Sequence, residues 1–366
     1  MELFQQMVEM GHERVLFCSN PDVGLKAIIA VHSTVLGPGL GGVRMWPYGS
    51  MEEALTDVLR LSRGMTYKAA AAGLNLGGGK AVIVGDPKKE KNEALLRAFG
   101  RYVESLNGFY ITAEDVGTDL EDMEVIQQET RWVTGVSPEQ GGGGDPSPVT
   151  AFGVLQGLQA AVAAHFGDGA LTGRSVAVQG LGNVGYNLAR FLREAGAKVF
   201  ATDLNAEVTD RAREELGAEI VPAAEILEVP CDVVAPCALG AVLNDESIPR
   251  LRCRIVAGAA NNQLADERRH GLELHNRGIL YAPDFVINAG GLINVYNELV
   301  GYNRDTAMRM TRGIYANMAR VFEISRTESI PTALAADRLA EERIAQVKSL
   351  GGQHWVRSIR RRAAEI

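Results

Sequence analysis

Residues 174–204 read RSVAVQGLGNVGYNLARFLREAGAKVFATDL, and this stretch decides the fold. The run RSVAVQG has the apolar, β-branched character of a buried strand. Gly180, Gly182 and Gly185 follow in GLGNVG, and a helical pattern begins at once. The first glycine permits a tight turn, the second lets the backbone approach a pyrophosphate, and the third lets helix pack on strand. The helix N-terminus meanwhile attracts phosphate charge. Asn183 and Val184 lie inside the same candidate cradle. The next strand, KVFATDL, reaches Asp203 eighteen residues beyond Gly185. A carboxylate there can accept hydrogen bonds from both ribose hydroxyls and repels a 2′-phosphate, so the expected cofactor is NAD rather than NADP.

Outward from this unit the alternation continues, with apolar runs in CDVVAPCA, RIVAGAA and GILYAP. Strands separated by helical patterns predict a parallel, doubly wound sheet. Upstream, SMEEALTDVLRLSRGM opens with a capping-box pattern, Ser50 with Glu53, and AVIVG reads as a buried strand that begins beside Lys80. The least regular stretch, EQGGGGDPSP, marks the boundary. The expected organisation is an α/β substrate and oligomerisation domain over residues 1–140, an NAD-binding domain of Rossmann type over 141–330, and a final segment, 331–366, packing back on the first. A cleft between the two domains is expected.

At 366 residues the chain is long enough for two such domains. A hydrophobic share of 46% with 22% charged residues is ordinary for a globular protein, and no uninterrupted apolar run reaches the roughly 18 residues of a membrane span. The start, MELFQQMVEMGHERV, is acidic and helical in pattern, unlike a secretory signal, so a cytoplasmic protein is expected. A net charge of -8 argues against a nucleic-acid partner, and the basic cluster WVRSIRRRAAEI reads as a solvated or subunit-contacting terminus. Cys18, Cys231, Cys237 and Cys253 show no CxxC spacing and read as reduced.

The chemistry points to Lys68 and Lys80 in MTYKAAAAGLNLGGGKAVIVGD. The stretch imitates a phosphate-binding GxxxxGK[ST] loop, but Leu74 and Ala81 stand where glycine and a hydroxyl are required. What remains is a lysine closing a glycine run, where small residues allow backbone or substrate to approach. A lysine kept charged holds a carboxylate. One that is desolvated beside another cation becomes a base, a shift of roughly three pKa units or about 4 kcal/mol. Lys68 fits the first role and Lys80 the second, with Asp115 in TAEDVGT as partner for moving protons. No histidine lies in a metal-ligand spacing and no GxSxG elbow occurs, so neither a metal site nor a serine nucleophile is expected.

The segments GPGLGGVRMWPY, GMTYKAAAAGLNLGGGKAVIVGDP, ITAEDVGT, APCALGA, GAANNQL and YAPDFVINAGGLINV together resemble the glutamate/leucine/phenylalanine/valine dehydrogenase family almost end to end. AEDVGT is similar to the signature of its leucine-preferring members. The resemblance implies NAD-dependent, reversible oxidative deamination of L-leucine and other branched-chain L-amino acids by a homo-oligomer, commonly an octamer. It implies that Lys68 holds the α-carboxylate, Lys80 is the catalytic lysine and Asp115 assists proton transfer. Asn261 and Asn262 would lie near nicotinamide and substrate, and Asn288 at the cleft. It further implies a side-chain pocket formed by Leu40, Ala113, Leu292 and Val295, with Gly41 and Met65 beside the substrate. Two rivals stay open: a valine- or phenylalanine-preferring member, and a silent NAD-binding sensor that keeps the fold without the reaction.

Overall fold

In a computed structural model of the chain, residues 3–351 are described. The basic cluster WVRSIRRRAAEI lies outside the described residues. The chain divides into two compact units. Among the described residues, the first contains Leu3–Gly144, the short segment Val295–Arg304, and Ala340–Gly351; the second contains Asp145–Asn294 and Asp305–Leu339. The break thus falls four residues beyond the one read from EQGGGGDPSP, and the C-terminal return begins inside a helix rather than at Pro331. The brief return at Val295 had no signal in the sequence.

The first unit comprises α1 (Leu3–Met10), β1 (Arg14–Asn20), β2 (Leu25–Ser33), β3 (Gly39–Leu40), β4 (Val43–Trp46), α2 (Met51–Ala71), β5 (Gly77–Val84), α3 (Glu93–Ser105), β6 (Tyr110–Ile111) and α4 (Leu120–Gln127). Its sheet is mixed, in the order β1-β2-β5-β3-β6, with β4 also on β5. β5 is the central strand: antiparallel to β2 on one edge, and parallel on the other to β3 and then β4. α2 is capped by the Ser50 side chain, which accepts from the Glu53 N–H. Its Ala54, Val58 and Leu59 pack on Ile28, Ala30 and Val82 of the sheet.

The second unit runs α5 (Ser147–Phe166), β7 (Ser175–Gln179), α6 (Asn183–Glu194), β8 (Lys198–Thr202), α7 (Ala206–Leu216), β9 (Glu219–Ile220), β10 (Val233–Pro236), β11 (Ile255–Val256), α8 (Glu267–Asn276), β12 (Leu280–Tyr281), α9 (Asp284–Ile287), α10 (Gly290–Glu298), α11 (Arg304–Glu328) and α12 (Thr332–Ser349), the last three each lying partly in the first unit. All strands are parallel, in the order β12-β11-β10-β7-β8-β9. This is the doubly wound arrangement that the glycine fingerprint predicts, with the order reversing at β7. α5 is apolar and long enough by composition to cross a membrane, yet it is a core helix: Val149, Ala151, Val154, Leu158, Ala161 and Val162 are all buried.

Two features of this packing carry measurable consequences. In α6 a Cβ on Gly185 would stand 2.0 Å from the Gly180 carbonyl oxygen, whereas one on Gly182 would meet nothing within 4 Å. Gly185→Ala is therefore expected to destabilise the unit by about 1–3 kcal/mol through overpacking. Gly182→Ala should leave the thermal midpoint nearly unchanged, and equal losses in both variants would refute this account of the turn.

The second feature is a histidine pair under α2. The His12 and His32 rings meet edge to face, 4.9 Å between centroids. His12 Nε2 lies 3.1 Å from the Leu59 carbonyl oxygen and 2.9 Å from Ser62 Oγ, which leaves Nδ1 buried without a partner. His32 is held by Thr66 Oγ1 at 2.8 Å and the Met10 carbonyl at 3.0 Å. Burial lowers both rings to about 4; for His32 the neighbouring His12 adds to this, and Arg63 acts on both in the same direction. Because the folded-state values lie below the ordinary 6.5, this stabilisation is complete above pH 6.5 and is lost as pH falls toward 4. Thermal midpoints measured across that window should fall for the native chain and fall less for the double variant His12→Phe, His32→Leu; parallel curves would refute the assignment.

Candidate active site

Lys80 and Asp115 are brought together by an interruption in the sheet. β3 and β4 lie on the same edge of β5, separated by Gly41 and Gly42, with Leu40 opposite Gly78 and Val43 opposite Ala81. At the break a Cβ on Gly41 would stand 1.9 Å from the Gly79 carbonyl oxygen and 3.1 Å from Met65 Cγ. One on Gly42 would stand 2.3 Å from the Glu114 carbonyl oxygen and 2.9 Å from Asp115 Cβ. No larger residue fits at either position without moving β5 or the Asp115 loop. The run Gly77–Gly79 serves the same end. A Cβ on Gly78 would strike the α2 backbone at Ser62 and Thr66, and one on Gly79 the Tyr110 ring. The sequence reading allowed these glycines to admit backbone or substrate; what occupies the space is the protein itself.

Lys80 is buried, on the face of β5 that it shares with Gly78 and Val82, against α2. Its Nζ lies 3.1 Å from Asp115 Oδ2. The same oxygen accepts from Arg44 Nε at 2.9 Å. Arg44 Nη1 donates to Asp57 Oδ2 at 2.9 Å, and the Tyr48 hydroxyl donates to that oxygen at 2.6 Å. The order of the network is thus Tyr48, Asp57, Arg44, Asp115, Lys80. Asp115 sits in a turn closed by Thr118 N–H on its carbonyl at 3.0 Å, with Gly117 at a φ of 83°. The Thr118 hydroxyl donates onward to the Val43 carbonyl at 2.8 Å. Asp119 then caps α4 in a reciprocal capping box with Asp122, so both ends of the Asp115 loop are fixed.

Burial pushes the Lys80 ammonium below its ordinary value; Asp115 and Asp57 oppose the shift, while Arg44 reinforces it. Burial alone would raise the Asp115 carboxyl, but Lys80 and Arg44 hold it below the usual carboxylate range. The outcome is a buried ammonium whose proton is held less firmly than in water, beside a carboxylate that stays ionised.

The remaining substrate-side candidates Lys68, Met65, Leu40, Ala113 and Val295 belong to this same unit. Lys68 and Met65 are half-buried on the last two turns of α2. Leu40 and Ala113 are buried; the Gly41 N–H donates to Ile111, and the Ala113 carbonyl accepts from Val43 N–H. Val295 is half-buried on α10, within the short segment belonging to this unit. Three residues along, Glu298 accepts from the Gly135 and Gly143 N–H groups at 2.8 and 2.9 Å, tying that segment down. The returning C-terminal chain also braces the site: Arg343 Nη2 donates to the Gly73 carbonyl and Asn75 Oδ1, both at 3.0 Å, just ahead of β5. Arg44, Asp57 and Tyr48 carry no catalytic signal in the sequence. Arg44 stands in the quoted GGVRMWPY, yet only the strand register shows what it faces.

In the second unit Gly182 is the N-cap of α6 with no side-chain cap, leaving the helix N–H groups and an open face, with Asn183 exposed and Val184 half-buried beside it. Gly180 adopts a φ of 95° and backs onto Ala238. Asp203 accepts from Leu181 N–H at 2.7 Å and Asn205 N–H at 2.9 Å, which uses two of the roughly four lone-pair positions of a carboxylate. Asn288 donates to the Ala259 carbonyl at 3.0 Å and Asn261 Oδ1 at 2.7 Å, while its own buried Oδ1 has no partner. Asn261 and Asn262 are exposed, and Leu292 is buried on α10. The uncapped helix end, the open glycine and the orphaned acceptor fit a dinucleotide's phosphates and a hydrogen-bonding ring substituent. Away from this region, Asp245, His270 and Glu273 bring potential ligand atoms within 4.8 Å, but Asp245 is engaged by Arg269 and by His270 itself.

Residues 12–132 match the dimerisation domain of the Glu/Leu/Phe/Val dehydrogenases, and residues 141–212 and 202–352 match the Glutamate/Leucine/Phenylalanine/Valine dehydrogenase domain. The chain is 60% identical over 344 residues to leucine dehydrogenase of Geobacillus stearothermophilus, covering 94% of each chain. It is 58% identical over 348 residues to that of Thermoactinomyces intermedius, covering 95% of each. The crystal structure of L-tryptophan dehydrogenase from Nostoc punctiforme superposes with a TM-score of 0.86 at 48% identity, covering 95% of this chain and 100% of that one. With the buried lysine–carboxylate pair and the open, uncapped helix N-terminus on a doubly wound sheet, this chain belongs to the glutamate/leucine/phenylalanine/valine dehydrogenase family of NAD(P)-dependent amino-acid oxidoreductases.

Proposed function

We propose that this protein oxidatively deaminates L-leucine and other branched-chain L-amino acids to 2-oxo acids and ammonia, reversibly, with NAD. The observation that carries the mechanism is the 3.1 Å contact between buried Lys80 and Asp115. Lys68 binds the substrate α-carboxylate as a point charge. A dinucleotide held in the second unit would supply the hydride acceptor for the amino acid Cα. Lys80, its ammonium disfavoured by burial, takes a proton from the water that attacks the imino carbon. Asp115 carries protons to and from the departing nitrogen. Gly180, Gly182, Asn183, Val184 and Gly185 hold the pyrophosphate, Asp203 the adenosine ribose, and Asn261 and Asn288 the nicotinamide end. A carboxylate at Asp203 favours NAD over its phosphorylated counterpart.

Leu40, Ala113, Leu292 and Val295 are all aliphatic, and with Gly41, Met65 and Asn262 they form the substrate side of our reading. That set suits a branched aliphatic side chain. One methylene in such a pocket is worth about 1–3 kcal/mol, so valine and isoleucine should also react. The dimerisation domain supports a homo-oligomer, which we take to be a cytoplasmic octamer.

The test is NADH formation across a panel of L-amino acids at one pH. L-Leucine should give the highest kcat/KM, with valine and isoleucine within about 10- to 200-fold of it. Lys80→Ala should lower kcat by about 10²- to 10⁴-fold, and Lys68→Ala should act mainly on the KM for the amino acid. Preference for phenylalanine or valine would overturn the substrate assignment. Tight NAD binding without turnover of any amino acid would favour the silent sensor.

A further inference from the structure

A base role for Lys80 calls for a cationic neighbour, and the sequence offers Lys68. The geometry supplies a different cation, Arg44, and gives it two anchors. We infer that Arg44, clamped by Asp57 and Tyr48, is the positioning residue of the catalytic pair, fixing Asp115 through Oδ2 and standing as the second cation beside Lys80. The inference deepens the proposed function and rests on its assignment of Lys80 as the base.

Three observations carry it. Asp115 Oδ2 is shared, at 3.1 Å from Lys80 Nζ and 2.9 Å from Arg44 Nε. An oxygen divided between two cations holds the lysine proton less firmly than one devoted to it. Arg44 is, moreover, placed by the backbone: on β4 it pairs with Val82 of β5, so it projects on the same face as Lys80, two residues away along that strand. The guanidinium is finally gripped from behind, Nη1 meeting Asp57 Oδ2 at 2.9 Å while Tyr48 donates to that oxygen at 2.6 Å. A planar fork can reach Asp115 and Asp57 at once; a lysine ammonium at the same position cannot keep both in that geometry.

The charged groups that act on Lys80 are Asp115 from the loop after β6, Arg44 from β4 and Asp57 from α2. Among those acting on Lys80, Asp115 and Asp57 favour its ammonium and Arg44 disfavours it. Asp57 is therefore a clamp whose own charge works weakly against the shift, and Arg44 is the member whose removal gives a clear sign. Behind the clamp lies an open cavity of about 570 Å³, lined by Arg44, Trp46, Tyr48, Thr56, Asp57 and Arg60. Shortening Arg44 thus admits water instead of leaving an empty hole in the core.

The experiment follows kcat/KM for L-leucine deamination against pH in the native enzyme with NAD, in Arg44→Met, in Arg44→Lys and in Lys80→Ala, with thermal midpoints for each. In Arg44→Met the acidic limb should move up by about one pH unit, because the Lys80 ammonium loses its repulsive neighbour and gains an undivided carboxylate. Arg44→Lys should keep the limb near its native position and lose kcat by about tenfold, with KM for leucine little changed. A lower rate in Arg44→Met with an unmoved limb, or full activity in Arg44→Lys, overturns the inference. Retention of activity in Lys80→Ala instead overturns the base assignment beneath it, so the two failures are distinguishable.

Discussion

A lysine buried in a protein interior has to be matched by negative charge, and here the match is one carboxylate oxygen. Asp115 Oδ2 receives both Lys80 and Arg44, with Lys80 almost wholly removed from solvent. Losing one partner from such a pair leaves an uncompensated charge, at a cost of about 3–5 kcal/mol. The first unit is built to hold these groups at bonding distance. Arg44 and Lys80 come from neighbouring strands, Asp115 from a loop closed at both ends, and Asp57 from the helix covering that face of the sheet. A shift of one residue in the β4–β5 register would turn Arg44 to the opposite face and separate it from Asp115.

Glycine is the means by which these elements approach. At Gly41, Gly42 and Gly79 the space a Cβ would fill already holds backbone or an aromatic ring, and at Gly78 it holds the backbone of α2. The same economy of volume recurs in the second unit, where Gly185 seats α6 on the turn at Gly180. Gly182 differs because its open side faces no protein atom within 4 Å. The two glycine clusters therefore share one purpose, packing protein on protein, and differ at a single position: Gly182 alone is left clear, at a helix N-terminus suited to an anion.

This distinction explains what could be read from the sequence. The doubly wound sheet was legible because its evidence is local: a strand, three glycines, a helix and Asp203 fall within thirty-one residues. Lys80 and Asp115 were legible as residue types in unusual settings. Arg44, Asp57 and Tyr48 were not, since an arginine, an acid at a helix turn and a tyrosine each pass for surface residues until the register sets them against Asp115. The histidine pair was hidden for the same reason, with His12 in the turn before β1, His32 on β2 and their partners on α1 and α2. The brief return of the chain at Val295 could not be read either, because α10 continues unbroken through it and no glycine or proline marks the crossing.

The separation between chemistry and recognition follows from the same construction. Lys80, Asp115 and Arg44 are fixed by strand pairing and by contacts among themselves, which depend little on the size of an aliphatic side chain nearby. Leu40, Ala113, Leu292 and Val295, which we propose as the substrate-side residues, are aliphatic and take no part in that ion-paired network. A relative named for tryptophan at 48% identity and relatives named for leucine at 58–60% are what such a division permits. Substituting one aliphatic group for another alters binding by about 1–3 kcal/mol. Disturbing the ion-paired cluster costs more and affects every substrate alike, because the charge left unpaired is the protein's own.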